Sequence, residues 1–479
     1  MAQTLTPDIC VIGGGSAGLS VAAAAAAFGV PVVLIEKHKM GGDCLNTGCV
    51  PSKALLAAAK RAAIMQNSGA FGVSAQNVTF DFAKAQAHVC GVIAAIAPMD
   101  SVERFTGLGV RVILGEARFK DRKTVIVGDI EIRARRFVIA TGSAPAVPPI
   151  PGLGEGPYFT NETIFDLTEW PKHLVVIGAG PIGLELAQAF RRFGSQVTVL
   201  EAARALAKDD PECAAIVLDS LERDGVVLRT GVKVVGVTHS GGSVKVKFEG
   251  AQGEDTVEET VEATHLLAAT GRRPITGGLD LEAAGIAYDG SGVIVNSGLK
   301  TSNKRVYAIG DAAAGQLQFT HAANYHAGLV IRNALFRLPV RVNNDAIPWV
   351  TYTEPELAQS GISEARARER GIKIRILRWP YHDNDRAQAE SETHGHIKVI
   401  TSTSGKILGA TIVGSQAGEL ITAWSLATAQ GLNIRAFTGI VVPYPTLSEI
   451  GKRAAIDYFT PGLTSPWVRR IIAWLRLFG

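Results

Sequence analysis

Two stretches of the chain repeat one order of apolar and polar positions. Each has a short apolar run, a glycine-rich turn, a helix-forming stretch and a second apolar run that ends at an acid. The first copy spans residues 8–36 and the second spans residues 173–201. In both copies the acid lies 23 positions after the first glycine (36 minus 13, and 201 minus 178). The pattern predicts a strand, a turn, a helix and a strand, twice over.

The glycine spacing in these turns is that of a dinucleotide-binding fingerprint. The first glycine permits a tight turn, the second lets the backbone approach a pyrophosphate, and the third lets helix and strand pack closely. The helix N-terminus then faces the phosphates, and the terminal acids, Glu36 and Glu201, are placed to accept hydrogen bonds from ribose hydroxyls. Two copies in the same context predict two dinucleotide sites. The glycines are Gly13, Gly15 and Gly18 in the first copy and Gly178, Gly180 and Gly183 in the second.

The uncharged stretch at 19–35 is nearly long enough to span a bilayer, but Gly29 and Pro31 interrupt it. We therefore predict a helix, a turn and a buried strand there, and no convincing transmembrane helix in the chain. The N-terminus lacks a basic region and a cleavage pattern, so we expect no signal peptide. From about Asn343 the pattern changes to alternating strands with two helices, which indicates a separate C-terminal domain.

Composition narrows the class of protein. A length of 479 residues is enough for roughly three domains, and 47% hydrophobic with 19% charged residues is typical of an ordered globular protein. The net charge of +4 is too small to favour nucleic acid as a partner. Five cysteines in so long a chain do not form a disulfide scaffold, so we expect a reducing, cytoplasmic location.

Two of the cysteines, Cys44 and Cys49, lie five positions apart in the run GGDCLNTGCVPSK at 41–53. A helix-forming stretch follows at 53–60, and the dipole of a helix start favours a thiolate. The pair is either a redox-active disulfide or two inert buried thiols. The neighbouring dinucleotide fingerprints favour the redox pair, because they supply a source of electrons.

Taken together, these motifs resemble those of the pyridine nucleotide–disulfide oxidoreductases, the family of dihydrolipoamide dehydrogenase, glutathione reductase and mercuric reductase. The resemblance covers roughly residues 8 to 460. It implies an α/β fold with two Rossmann-like dinucleotide-binding domains, for FAD and NAD(P), plus a C-terminal α+β dimerisation domain and hence a homodimer. The implied segments are 1–150 and 273–342 for the two parts of the FAD domain, 151–272 for the NAD(P) domain, 343–460 for dimerisation and 461–479 for a basic amphipathic tail.

The resemblance also implies roles for individual residues. Cys44 would attack the substrate, Cys49 would be the thiolate against the flavin, and Lys53 with Glu185 would form an ion pair near flavin N5. The residues implied to hold FAD are Gly13, Gly15, Gly18, Glu36, Lys53, Ala117, Thr141, Gly142, Ser143, Asp311 and His321. Those implied to hold the nicotinamide dinucleotide are Gly178, Gly180, Gly183, Glu201, Val234 and Gly271.

The acid at position 201 predicts which nicotinamide cofactor is used. A carboxylate accepts a hydrogen bond from the 2′-hydroxyl of NADH and repels the 2′-phosphate of NADPH, whose users tend to place an arginine nearby. Arg204 is close in sequence but lies three residues past the strand end. We predict a preference for NADH.

The chain departs from its relatives at Tyr444, which lies five residues before Glu449. In dihydrolipoamide dehydrogenase and glutathione reductase this position is a histidine paired with an acid and donated across the dimer, and a phenol with a pKa of about 10 is a poor base in its place. Tyr444 either donates a hydrogen bond, lines a pocket or packs at the dimer interface. Mercuric reductases carry tyrosine here, but they also use a vicinal cysteine pair near the C-terminus, and the last cysteine of this sequence is Cys213.

Asp43 is a second departure, because relatives often have threonine beside the first cysteine. If its charge points inward, it should raise the pKa of Cys44 and disfavour an anionic substrate; otherwise it is solvated or caps the turn. His394 and His396 favour a surface turn over a metal site, and we expect no bound metal.

The tail at 466–479 is a third departure. Apolar residues fall on one helical face, arginines lie mostly off it, and aromatic residues add bulk. This pattern is typical of a helix at a membrane surface, and equally of a terminal helix packed on the protein or its dimer mate. We slightly favour packing, and we keep peripheral contact with the inner face of the membrane as the alternative.

These observations predict an FAD-dependent oxidoreductase that passes electrons from NADH through FAD to the Cys44–Cys49 disulfide and on to an external acceptor, a small disulfide or another compound. Dihydrolipoamide dehydrogenase proper and mercuric reductase are the alternatives within the family. A redox-sensing or scaffold flavoprotein with little turnover is the alternative from another class.

Overall fold

The computed structural model describes residues 3–74, 78–252, 255–463 and 465–479. Its contacts group the chain into two compact units, residues 1–202 with 227–344 and residues 203–226 with 345–479. The predicted α/β class is confirmed. The finer boundaries at 150, 272, 342 and 460 stay predictions.

A five-stranded parallel sheet forms the first half of the first unit. Successive residues of its central strand face opposite cores: Ile9 and Val11 pack in one apolar cluster, and Cys10 and Ile12 pack in the other. Burial on both faces explains why the strand is a continuous apolar run. In spatial order the strands are Val306–Ala308, Arg136–Ile139, Ile9–Ile12, Val32–Glu36 and Val110–Leu114.

The stretch at 19–35 belongs to this sheet and its covering helix. The helix Ser16–Ala27 packs mainly on Thr320–Phe336, and a turn with Gly29 in the left-handed conformation leads into the strand Val32–Glu36. The prediction of helix, turn and buried strand is confirmed.

The second copy of the sequence repeat forms a smaller parallel sheet in the same unit. Its strands, in spatial order, are Val227–Thr230, Gln196–Glu201, His173–Ile177 and His265–Ala268. The helix Pro181–Arg192 packs on it, and a three-stranded antiparallel sheet adjoins it, made of Val232–Ser240, Ser243–Gln252 and Asp255–Ala263. The repeat seen in the sequence is therefore a repeat of structure.

The remaining elements of the first unit connect and cover these sheets. Its other strands are Gln3–Leu5, Arg118–Asp121, Thr124–Val127, Ile130–Ile132, Ser143–Pro145, Arg272–Pro274, Tyr288–Asp289 and Gly292–Val293. Its other helices are Gly42–Asn46, Cys49–Asn67, Phe82–Ile96 and Val102–Gly107.

An antiparallel five-stranded sheet is the centre of the second unit. In spatial order its strands are Trp349–Thr351, Glu356–Gly361, Ile407–Gly414, His396–Ser402 and Ile374–Pro380. The helices of this unit are Pro211–Arg223, Glu364–Glu369, Asp385–Ala389, Ala417–Ala429, Arg435–Gly439, Glu449–Asp457, Thr460–Leu463 and Pro466–Leu475. The predicted change to strands and helices after about Asn343 is observed, but the prediction of two helices was wrong, because the described residues of this region form seven.

One helical stretch in the described part of the chain, 82–107, has the length and apolar composition of a membrane span. Pro98 lies in a 3₁₀ turn within this stretch. Ser101 is the N-cap of the helix that follows, and its hydroxyl accepts a hydrogen bond from the backbone of Arg104. The stretch is therefore two helices joined by a turn.

Candidate functional site

The first glycine turn has the geometry that its sequence predicts. Gly13 has φ +111°, and a Cβ there would lie 2.3 Å from the carbonyl oxygen of Ala140. A Cβ on Gly18 would lie 1.9 Å from the carbonyl oxygen of Gly13. Only glycine fits either position. The acid that ends the motif, Glu36, accepts hydrogen bonds from the backbone of Gly14 at 2.5 Å and of His38 at 2.7 Å.

The second glycine turn reproduces the first almost contact for contact. Gly178 has φ +108°, and a Cβ there would lie 2.5 Å from the carbonyl oxygen of Ala269, while a Cβ on Gly183 would lie 2.1 Å from that of Gly178. The carboxylate of Glu201 accepts a hydrogen bond from the backbone of Ala179 at 2.8 Å. Gly180, the middle glycine, has open space where a Cβ would point. That space is what close approach of a pyrophosphate requires, so the residues present fit a dinucleotide.

Three of the residues implied to line the flavin form hydrogen bonds within the protein. Ser143 donates a hydrogen bond to Asp311 at 2.6 Å, and Thr141 donates to the carbonyl of Ile275 at 2.6 Å. Burial raises the pKa of Asp311. A carboxylate buried beside a hydroxyl fits a ligand that presents further hydroxyl groups, as a ribityl chain does.

The other residues implied for the cofactors have simpler surroundings. Ala117 is buried, and the ring of His321 stacks on Phe319 with centroids 5.3 Å apart. Gly142 and Gly271 have positive φ and open space at the Cβ position. Val234 lies in the strand Val232–Ser240.

The two cysteines lie on consecutive helices. Cys44 is in the short helix Gly42–Asn46, and Cys49 is the first residue of Cys49–Asn67, directly after its cap, Gly48. This places the Cys49 sulfur where the helix dipole favours a negative charge, as predicted. Thr320 was missed by sequence reasoning, and its hydroxyl lies 3.6 Å from the Cys49 sulfur.

The pair is electrostatically asymmetric. A hydrogen bond from Cys44 is the main cause that lowers the pKa of Cys49 to about 6, with help from Thr320 and the charge of Lys53 and against burial. The same hydrogen bond, with burial, raises the pKa of Cys44 well above its usual range. Both shifts favour Cys49 over Cys44 as the thiolate of the pair.

Lys53 lies one helical turn after Cys49, and its ammonium forms an ion pair with Glu185 at 2.7 Å. The carboxylate belongs to the helix Pro181–Arg192, and Glu185 is 4% exposed. The structure thus joins the four central residues predicted from sequence, Cys44, Cys49, Lys53 and Glu185, within one unit.

Tyr444 lies in the other unit and is 70% exposed. Its hydroxyl donates a hydrogen bond to the carboxylate of Asp385 at 2.7 Å, and this bond raises the pKa of the phenol, with a smaller contribution from the charge of Glu449. Glu449 begins the helix Glu449–Asp457. The acid that binds the phenol is therefore Asp385, which no pattern in the sequence indicated.

Asp43 is not simply solvated, because three groups bind its carboxylate. Thr47 donates from its hydroxyl at 2.9 Å, Asn161 from its amide at 3.1 Å, and Arg272 pairs with it at 3.2 Å. The charge of Asp43 raises the pKa of Cys44, as expected for an inward carboxylate, but it is the smallest of the causes acting on that thiol. Sequence reasoning missed Arg272, although it directly follows Gly271.

His396 is the first residue of a strand, and its ring lies 3.5 Å from the Cys213 sulfur, while His394 contacts Arg223. His396 is thus not part of a surface turn as expected. Within the described ranges, no group of three or more His, Cys, Asp or Glu residues is placed to hold a metal ion.

Comparison with known proteins identifies the family by two separate profiles. A profile described as pyridine nucleotide-disulphide oxidoreductase matches residues 7–327, and one described as its dimerisation domain matches residues 347–455. The second match supports a homodimer.

Curated relatives and a solved structure agree with these profiles. The chain is 37% identical to a mercuric reductase of Staphylococcus aureus, covering 94% of this chain and 82% of that protein. It is also 37% identical to a dihydrolipoyl dehydrogenase of the same species, covering 94% and 96% respectively. A Cu(II) complex of the HOCl-induced flavoprotein disulfide reductase RclA from Escherichia coli superposes with a TM-score of 0.82 at 28% identity, covering 94% of this chain and 99% of that one.

Proposed function

The chain belongs to the pyridine nucleotide-disulphide oxidoreductase family and is an FAD-dependent NAD(P)H disulfide oxidoreductase, and from this premise we propose that Cys44 and Cys49 are its redox-active pair. FAD, held by the first glycine turn with Glu36, Ser143 and Asp311, supplies the step between hydride and thiol chemistry when it is bound. The nicotinamide dinucleotide is held by the second glycine turn with Glu201.

The observation that carries the proposal is the asymmetry of the two thiols. A reducing dithiol needs one thiolate that is stable near neutral pH and one thiol that attacks the acceptor once its proton has been removed. Cys49 has the lowered pKa and lies at a helix start, and Cys44 keeps its proton. Two electrons cleave the Cys44–Cys49 bond, one proton is taken up by Cys44, and Cys49 remains a thiolate. The reduced pair then passes two electrons to the acceptor, Cys44 releases its proton, and the Cys44–Cys49 bond forms again.

The ion pair of Lys53 with Glu185 supports this assignment. The ammonium lies on the same helix as Cys49 and its charge lowers the pKa of that thiol. The buried carboxylate holds the ammonium in one position, so the field at the sulfur is fixed.

An anaerobic titration with NADH tests the assignment. We expect a long-wavelength absorbance band from the thiolate beside the oxidised flavin after two electrons have been added, and two new alkylatable thiols at positions 44 and 49. Flavin bleaching without the band and without new thiols would instead support the redox-sensing or scaffold alternative.

We propose NADH rather than NADPH as the electron donor. The carboxylate of Glu201 ends the second motif. The guanidinium of Arg204 donates hydrogen bonds to the carbonyls of Ala207 at 2.8 Å and Asp209 at 3.1 Å within its own segment. Backbone carbonyls thus engage this guanidinium. A larger kcat/KM with NADPH than with NADH would contradict this choice.

The acceptor is proposed at the level of its chemistry: a disulfide or a soft metal ion that two thiols can reach. Relatives named mercuric reductase and a Cu(II) complex of RclA make the metal ion worth testing beside lipoamide. NADH oxidation compared with lipoamide, a small linear disulfide, Hg²⁺ and Cu²⁺ separates these acceptors.

We also propose that the protein is cytoplasmic and that its C-terminal helix touches an anionic membrane surface. The helix Pro466–Leu475 buries none of its residues within its own chain, so the packing that we favoured would have to be on the dimer mate. Its apolar side chains are exposed, and no acid follows Asp457 in the sequence. The exposed apolar residues are Trp467, Ile472, Trp474, Leu475, Leu477 and Phe478, and the arginines are Arg469, Arg470 and Arg476.

Charge decides which surface fits this helix. Basic residues beside an apolar, aromatic face complement a bilayer with anionic headgroups. Each basic residue adds roughly 1 kcal/mol of binding free energy near such a surface. The helix also lies beyond residue 455, where the dimerisation profile ends. The helix is therefore outside the part of the chain that matches the family.

Co-sedimentation with vesicles tests this contact. The full chain should bind vesicles containing anionic phosphatidylglycerol and not vesicles of phosphatidylcholine alone, and removal of residues 465–479 should abolish binding. Arg469→Glu with Arg470→Glu is the charge control and should weaken binding. If deletion leaves vesicle binding unchanged, the proposed membrane contact is wrong. If deletion instead dissociates the dimer in light scattering, the helix packs against a second copy and the membrane contact is again wrong.

A further inference from the structure

Asp43 contacts both helices that carry the redox cysteines. It belongs to the helix of Cys44, and its carboxylate accepts a hydrogen bond from Thr47 at the end of that helix. A Cβ added to Gly48 would lie 2.8 Å from the same carboxylate, and Gly48 caps the helix that begins at Cys49. The Asp43 carboxylate therefore lies at the junction of the two helices, between the two cysteines in sequence.

Arg272 anchors this carboxylate to the residues implied to line the flavin. The arginine side chain is 12% exposed and lies 3.2 Å from Asp43. It donates to the hydroxyl and to the carbonyl of Ser143, both at 2.8 Å, and it lies 3.9 Å from Asp311. A buried guanidinium with two carboxylates and a serine around it has little freedom to move.

The charges around the thiols show what this pairing does. The charge of Lys53 stabilises the Cys49 thiolate, and the ammonium is itself paired with Glu185. Asp43 acts in the opposite direction, because its charge raises the pKa of both cysteines. The Arg272 cation, 3.2 Å from Asp43, opposes that repulsion.

We propose that Asp43 is a positioning residue that fastens both cysteine-bearing helices to Arg272, and that Arg272 offsets the charge of Asp43 at the redox pair. The inference rests on the proposed role of Cys44 and Cys49. It assigns to this chain a polar link from the redox segment through Arg272 to Ser143. The pair of charges, rather than either one alone, is the functional unit.

A double-mutant cycle on thiol reactivity tests the proposal without turnover. The FAD-loaded protein in a Cys90→Ser background is chemically reduced in the absence of nicotinamide cofactor and alkylated with iodoacetamide across a pH range, and modification at Cys49 is followed by peptide mass spectrometry. This readout reports the thiolate directly. Failure of the proposed enzymatic function would instead appear in the NADH titration, so the two failures are distinguishable.

The two single variants should shift the pKa of Cys49 in opposite directions. Arg272→Met leaves the Asp43 carboxylate without its cation, so the pKa should rise by about half a unit to one unit. Asp43→Asn keeps an oxygen for Thr47 and leaves Arg272 uncompensated, so the pKa should fall by a comparable amount. The double variant should return to within about 0.2 units of the parent. Arg273→Met, which removes a charge from the exposed neighbouring residue, is the matched control and should cause no shift.

Three results would overturn the proposal: no shift with Asp43→Asn, no shift with Arg272→Met, or a double variant that keeps the full shift of the arginine variant. The last would show that Arg272 acts on the thiol directly. If Arg272→Met does not fold, the Asp43→Asn shift alone decides, because that substitution preserves side-chain shape and one hydrogen-bond acceptor.

Discussion

The segment around Cys44 and Cys49 and the segment around Tyr444 differ in how many neighbouring groups act on the reactive side chain. Around the cysteines, a hydrogen bond between the thiols, a helix start, Thr320 and Lys53 all act on one sulfur. Around Tyr444, an exposed hydroxyl donates to one carboxylate. The surroundings of Cys49 lower the pKa of its thiol through several contacts, whereas the surroundings of Tyr444 raise the pKa of its phenol.

This difference indicates that the chain is better suited to electron transfer at its cysteines than to proton removal at Tyr444. Electron transfer at sulfur needs a thiolate near neutral pH, and the cysteine segment provides it. Proton removal from an incoming dithiol needs a base, and a phenol that already donates to Asp385 and has a raised pKa is even less ionised near neutral pH than an unperturbed tyrosine, so less of it is present as a base. The phenol is suited to donate a hydrogen bond. We therefore expect reduction of acceptors that arrive without a proton to remove, such as disulfides or metal ions, to suit the chain better than oxidation of a dithiol.

Loss of either cysteine should have the largest effect. Cys49→Ser should reduce NADH-dependent acceptor reduction by more than about a thousandfold, because no disulfide can form. Cys44→Ser should reduce it similarly but keep a hydroxyl that can donate to Cys49, so the unpaired Cys49 thiolate should give the long-wavelength band near neutral pH before any NADH is added. Steady-state rates and absorbance spectra measure both. Cys90→Ser, an exposed cysteine elsewhere, is the control and should change the rate by less than about twofold. Equal activity of Cys49→Ser and the parent would remove the redox pair from the mechanism.

The pH dependence of alkylation should give the next largest effect. With a pKa of about 6, Cys49 is a thiolate above that pH and becomes protonated as the pH falls through it. Its alkylation rate should be half-maximal near that pKa and drop about tenfold for each unit below. Rates between about pH 4.5 and 9 in reduced protein, assigned by peptide mass spectrometry, check this. A half-maximal rate near the ordinary thiol pKa of about 8.5 would show that the environment does not stabilise the thiolate.

The sequence predicted most of the fold because the glycine turns are constrained locally. Gly13 and Gly18 have no room for a Cβ, and Gly178 and Gly183 repeat the constraint, so the motif spacing specifies the backbone. The helix after Cys49 follows from an alanine-rich run. Such features depend on neighbours in sequence, which a pattern can show.

Partners from distant parts of the chain could not be predicted in the same way. Arg272 lies 229 residues from Asp43 (272 minus 43), and Thr320 is 271 residues from Cys49. Asp385 is separated from Tyr444 by 59 residues. These contacts depend on how sheets and helices are assembled, and an arginine or threonine after a glycine or phenylalanine is too common to mark a site. The pairing of Asp43 with Arg272 was missed for this reason.

Removal of the Lys53 charge should have a moderate effect. Lys53→Met should raise the pKa of Cys49 by about one unit and reduce thiolate-dependent rates near neutral pH by less than about tenfold. It also leaves Glu185, a buried acid, without this cation, so the melting temperature should fall. Lys60→Met removes the same charge two turns further along the helix and is the matched control. The alkylation pH profile and thermal unfolding separate the electrostatic effect from the structural one. An unchanged profile in Lys53→Met would assign the lysine to the fold alone.

Substitution of Tyr444 should have the smallest effect on reduction of disulfides or metal ions. Tyr444→Phe removes only an exposed hydroxyl and its bond to Asp385, so kcat should change by less than about twofold. Tyr444→His sharpens the comparison, because an imidazole with a pKa of about 6.5 can take the proton that a phenol cannot. It should raise NAD⁺-dependent oxidation of dihydrolipoamide while leaving reduction of a small disulfide unchanged. A tenfold or larger loss with Tyr444→Phe for every acceptor would show that the phenol takes part in the chemistry despite its exposure, and that the second segment is as much a part of the site as the first.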